Sequence, residues 1–133
     1  HGVRVYLNDG ENNFVEAVFY PLNGAYKALP VDFDGDGDLD IAAISFFPDY
    51  EKAPEESFVY LENEGDMAFV AWTFLAATDA RWLTMDAGDI DGDGDEDIVL
   101  GAFVRGASNV PPALEKRWQR EATSILILRN KHF

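Results

Sequence analysis

One pattern of alternating aspartates is used twice in this chain. Asp32-Phe33-Asp34-Gly35-Asp36-Gly37-Asp38-Leu39-Asp40 is followed by Ile41, and Asp89-Ile90-Asp91-Gly92-Asp93-Gly94-Asp95-Glu96-Asp97 by Ile98. Each copy carries carboxylates at its positions 1, 3, 5, 7 and 9. Crowding that many like charges costs free energy unless a cation neutralises them. A hard ion that takes six to eight oxygens and tolerates irregular geometry fits such a loop, and calcium is that ion. Glycine at position 6 of each copy, Gly37 and Gly94, allows the φ > 0 turn that folds a short loop back on itself. The competing reading, two acidic solvated turns, explains a single loop more easily than a pair with the same spacing.

The acidity is local. Ten of the 25 Asp and Glu residues lie in these two loops, and they account for most of the net charge of −15. An acidic chain is a poor candidate for binding nucleic acid or an anionic membrane surface. The 47% apolar and 14% aromatic content is that of a folded domain with a core. Cysteine is absent, which excludes disulfides and thiolate metal sites. No apolar run is long enough to span a bilayer, so no membrane insertion is expected. The start at His1-Gly2, without a leader, suggests a mature or trimmed product. Acidic calcium loops are filled where calcium is plentiful, which points to a secreted, periplasmic or cell-surface location.

Repetition extends beyond the loops. Val5-Tyr6-Leu7-Asn8-Asp9-Gly10 with Phe14-Val15 returns as Val59-Tyr60-Leu61-Glu62-Asn63-Glu64-Gly65 with Phe69-Val70. The offset is 54 at Tyr6/Tyr60, 55 at Phe14/Phe69 and 57 between the loops. A partial third copy closes the chain at Ile127-Leu128-Arg129-Asn130. The intervening apolar runs are short, β-branched or aromatic and bounded by turn residues, which predicts strands over 3–7, 14–19, 25–31, 40–47, 58–62, 68–74, 82–87, 97–104 and 124–129. Runs 41–44 and 98–101 are apolar on both faces and belong in the middle of a packed stack. Four strands per unit is the pattern of β-propeller blades. The expected fold is therefore all-β, with about two four-stranded antiparallel blades, each carrying its acid loop between its first two strands. Residues 1–20 would be the outer strands of a preceding blade, 21–74 a full blade, and 75–133 a blade lacking its last strand.

The D-x-D-G-D-G-x-x-D-I loop, with a Leu-x-Asn-x-Gly-x-x-x-Phe stretch, resembles the FG-GAP/VCBS repeat, which builds the calcium-binding propeller blades of integrin α-subunits and of many bacterial surface and secreted proteins. The resemblance covers nearly the whole chain. It implies two calcium ions held by the side chains of Asp32, Asp34, Asp36 and Asp40 and of Asp89, Asp91, Asp93 and Asp97, with the backbone carbonyls of Asp38 and Asp95. The integrin-type Phe-Gly and Gly-Ala-Pro signatures are not present (Gly101-Ala102-Phe103 is the nearest approach), so the similarity is to the bacterial form. An EF-hand is the rival. Its position-12 glutamate would fall on Ala43 and Leu100, which cannot ligate through their side chains.

The chain offers little to catalysis, and no enzyme is expected. His1 and His132 stand at the ends, and Ser45, Ser57, Ser108 and Ser124 lie in no nucleophile-elbow sequence. Glu55-Glu56 reads as a solvated loop. The calcium would be structural, pinning the hairpin of each blade. Hairpin geometry should gather 20–24, 47–57, 75–81 and 105–123 at the end opposite the acid loops, and loops on a rigid scaffold carry recognition. Within 105–123, Arg105, Lys116, Arg117, Trp118 and Arg120 concentrate basic and aromatic character in an acidic chain. These residues, with Tyr50, are the candidate partner face; the alternative is that Trp118 packs a one- or two-turn helix within 113–121 onto the scaffold. The expected partner is a protein or further copies and blades that complete the propeller. A carbohydrate, with Tyr20, Tyr50 or Trp118 as platforms, or an accessory role beside a polysaccharide-active enzyme, is the second possibility.

Overall fold

A computed structural model describes residues 1–105 and 110–131. The strands fall into three antiparallel sheets. β1 (Gly2–Asn8) pairs with β2 (Phe14–Pro21). β3 (Ala25–Val31), β4 (Asp40–Ser45), β5 (Phe58–Asn63) and β6 (Phe69–Trp72) form a four-stranded meander in sequence order. β7 (Trp82–Gly88), β8 (Asp97–Ala102) and β9 (Ile125–Leu128) form the third sheet. The one α-helix among the described residues is α1 (Pro112–Glu121). Short 3₁₀ turns occupy Pro54–Ser57 and Leu75–Asp79.

β4 shows why the sheets stack. All six of its residues are buried. Side chains alternate across a strand, so one sequence serves two cores. Ile41 and Ala43 pack with Leu22, Val59 and Leu61, against half-buried Val3, Val5 and Tyr20 of the first sheet. Ala42 and Ile44 pack on the other side with Phe58, Trp82, Met85, Ile98 and Leu100, which joins the second sheet to the third. The interior Trp82 indole is satisfied, its Nε1–H donating to the Ala77 carbonyl at 2.8 Å.

The three strands of the third sheet match the first three of the second in register. Leu29, Ala42 and Tyr60 lie abreast across β3–β5, and Asp86, Val99 and Ile127 lie abreast across β7–β9. A register shift interrupts the same place in each, at Ala25/Lys27 and at Trp82/Thr84. The hairpins repeat too, but one residue away from the sequence alignment. Asn8 faces Phe14 and Asn63 faces Phe69, and each Asn Oδ1 accepts from the glycine N–H two residues on, at 3.0 and 3.2 Å. Tyr6 therefore corresponds to Leu61 rather than to Tyr60. The turn chemistry of the asparagine, not the Val-Tyr-Leu identity, sets the correspondence.

Several expected strands end early. The run 40–47 stops at Ser45, where the Phe46 N–H turns to the Gly24 carbonyl at 3.1 Å and the Phe46 ring sits 4.3 Å from the Arg81 guanidinium. The run 97–104 stops at Ala102 and 68–74 spans only Phe69–Trp72. The expected turn within 113–121 is longer, a ten-residue helix. Pro112 starts it, as proline suits the first turn, and Ala122 ends it in a left-handed conformation (φ 50°) with its N–H on the Trp118 carbonyl at 2.8 Å.

Among the described residues no helix is long and apolar enough to cross a membrane. The connections 46–57 and 73–81 meet residues 103–105 and 110–123 at one end of the sheets. Ser57 Oγ donates to Ala77 O at 2.6 Å, Trp118 Nε1 to Thr78 O at 2.8 Å, and Arg81 Nη2 to Arg105 O at 2.7 Å. The acid loops lie at the other end.

Candidate metal centres

Each acid loop is built from its first and last aspartates inward. Asp32 folds the front half of its loop, its Oδ1 accepting from Gly35 N–H at 2.8 Å and its Oδ2 from Gly37 N–H at 3.0 Å. Asp89 does the same for Gly92 (2.7 Å), Asp93 (3.1 Å) and Gly94 (3.1 Å). The wrap requires left-handed backbone at two positions per loop. Gly35 and Gly37 have φ of 74° and 97°, and Gly92 and Gly94 have 80° and 98°.

The last aspartate of each loop is the anchor. Asp40 and Asp97, at the starts of β4 and β8, are both 0% exposed. Asp40 Oδ1 accepts from Asn63 N–H at 2.9 Å, and its Oδ2 from Phe33 N–H at 3.1 Å and the Tyr60 hydroxyl at 2.7 Å. Asp97 Oδ1 accepts from Asn130 N–H at 2.8 Å and its Oδ2 from Ile90 N–H at 3.0 Å. A carboxylate has about four acceptor sites. Each anchor thus keeps capacity for a further positive group after its hydrogen bonds are made.

Asp32, Asp34 and Asp40 bring one carboxylate oxygen each within 4.8 Å of one another, and so do Asp89, Asp91 and Asp97. Oxygens sharing one calcium at about 2.3–2.6 Å must lie within roughly 5 Å of each other. The donors are all hard oxygens, suited to calcium rather than to a thiolate- or imidazole-seeking metal. Of the ten expected ligands, Asp36, Asp38, Asp93 and Asp95 stand outside these clusters. Asp36 Oδ1 accepts from Asp38 N–H at 2.8 Å and Asp93 Oδ1 from Asp95 N–H at 3.2 Å. Each loop leads directly into a strand, with Ala43 and Leu100 fully buried, so no EF-hand helix follows either one.

The electrostatics of the two loops differ. Burial and the neighbouring charges of Asp40, Asp36 and Asp32 hold the Asp34 carboxyl above the usual carboxylate range, against one backbone N–H from Asp36. Among the described residues no salt bridge reaches loop 32–40. In the second loop Asp91 forms an ion pair with Arg129.

The proposed partner face divides. Trp118 is 1% exposed and Tyr50 is 9% exposed, their rings in a tilted-edge contact 5.7 Å apart. Neither offers a surface to a partner or a sugar, because both fill the space under α1. Arg117 is half-buried and tied to Asp79 at 2.7 Å and Thr78 at 2.9 Å. Arg105, Lys116 and Arg120 are exposed. Tyr20 is half-buried. Ser108 and His132 lie outside the described residues, while Ser45 and Ser57 are buried, donating to the carbonyls of Asn23 and Ala77. Glu56 is raised by burial, then by Glu55 and Asp49.

Sequence reasoning did not find Asn63, Asn130, Tyr60 or Arg129. The recurring asparagine was visible, but as a turn residue. Its backbone N–H on the buried aspartate is a contact across 23 and 33 residues. No family model, curated protein or solved structure matches the chain.

Proposed function

We propose that this chain is a calcium-stabilised repeat module with blades of the FG-GAP/VCBS kind, acting in protein assembly or adhesion in a secreted, periplasmic or cell-surface protein. β3–β6 would be one blade, β7–β9 most of the next, and β1–β2 the outer half of the one before. The observation that carries the reading is the matched pair of carboxylate triads, each within 4.8 Å, at corresponding strand starts of two register-equivalent sheets. Calcium in these loops would be structural. The anionic loop needs a counter-charge in its folded form, so binding free energy becomes folding free energy. Assembly is supported by the first sheet, whose Phe14 (64%) and Val15 (66%) leave apolar surface in water.

The test is thermal unfolding of chelator-treated protein with calcium, with magnesium and with neither. Calcium at about a hundred times its dissociation constant should add about 2.7 kcal/mol per site. Equal melting temperatures in all three conditions would reduce the loops to acidic turns.

A further inference from the structure

Arg129 lies at the end of β9, immediately before Asn130, whose backbone holds the buried Asp97. The same strand end thus reaches the loop twice: Asn130 N–H holds the anchor, and the Arg129 guanidinium pairs with Asp91 across 38 residues. Asp91 is one of the three carboxylates of the second cluster. In the first unit the residue before the corresponding Asn63 is Glu62. It accepts from Trp72 Nε1–H at 2.6 Å and brings no positive charge to its loop.

We propose that Arg129 is a tethered counter-cation of the second loop, competing with calcium for Asp91, so that the two loops bind the ion with unequal affinity. This rests on the calcium reading above and concerns its regulation. A bound divalent ion and a guanidinium cannot both sit on Asp91 without repelling each other, so calcium must displace Arg129 or bind beside it at a cost. The Arg129 side chain is 56% exposed, which gives it water to move into. Among the described residues no salt bridge brings such a competitor to loop 32–40. The consequence is ordered filling, first loop 32–40 and then loop 89–97.

Calorimetric titration of the whole chelator-treated chain with calcium chloride decides it. The wild type should show two classes of site, and Asp34→Asn should abolish the tighter one. Arg129→Gln should tighten the weaker class roughly fivefold, the scale of a partly exposed ion pair, and leave the tighter class unchanged. Glu62→Arg places the guanidinium at the corresponding position of the first unit and should weaken the tighter class. This second variant keeps the test decisive if Arg129→Gln fails to fold. Equal affinities in the wild type, or no response to either substitution, overturn this inference while leaving the calcium reading intact. No calcium heat in any of the proteins overturns both.

Discussion

Loop 32–40 and loop 89–97 share every aspartate position but differ in their surroundings. The first lies between two sheets. Its Phe33 is buried in the core that joins them, edge-on to Tyr60 with ring centroids 5.9 Å apart, and its backbone carbonyl accepts from Asn130 Nδ2–H at 2.5 Å. In the second, Ile90 takes the place of Phe33 and is 49% exposed. Asp40 has three donors and Asp97 two, because Ile127 stands where the second sheet has Tyr60. The first loop is thus fixed by burial and hydrogen bonds, and among the described residues no ion pair reaches it. The second is more open and carries its own cation. The same short acid pattern can therefore be rigid or adjustable depending on what the next sheet places over it.

The largest test of this difference is removal of the anchors. Asp40→Ala strands three donors in the interior and should cost about 4 kcal/mol in denaturant unfolding, with Asp97→Ala costing about 1 kcal/mol less. Equal losses would mean that the extra hydroxyl contributes nothing. Next is the covering side chain. Phe33→Ala should cost about 3 kcal/mol and Ile90→Ala under about 0.5 kcal/mol, measured in the same way.

At alkaline pH a background from the far end has to be subtracted before the loops can be compared. Burial pushes the Tyr50 phenol up to about 12, with Arg81 opposing. The raised value means that Tyr50 contributes stability in full below its ordinary value near 10 and loses it as pH climbs from there to about 12. The loss should be on the order of 2 kcal/mol and should vanish in Tyr50→Phe. The smallest effect is that of Tyr60→Phe, which deletes one hydrogen bond to a carboxylate. It should cost about 1.5 kcal/mol, and chelator should shrink that cost less than it shrinks the cost of Asp40→Ala.

Much of this arrangement was legible in the sequence, and the boundary of legibility is physical. Alternating aspartates with glycine between them specify a wrapped loop locally, and the apolar runs around Ile41 and Ile98 specify buried strands by composition alone. Long-range pairing was less accessible. Trp118 and Tyr50 are aromatic residues in long connections, and nothing nearby in the chain says that they meet each other under α1. Arg129 is one of several basic residues, and only the β8–β9 register delivers it to Asp91. Positions 1, 3 and 9 converge without position 5, although Asp34 and Asp36 each accept from the backbone N–H two residues on. The spacing of acids cannot express that choice.

The double-sided burial of β4 limits where the chain can change length. A one-residue insertion there would turn Ile41 and Ala43 toward the partners of Ala42 and Ile44, exchanging small side chains for large ones in two cores at once. Indels within the strands are therefore expensive, whereas the far-end connections bear them. The linker from β4 to β5 runs through 46–57, and its counterpart from β8 to β9 runs through 103–124 and holds a whole helix. New sequence can accumulate at that end while the aspartate anchors at the other keep their place, leaving a molecule with one end held constant and one open to diversification.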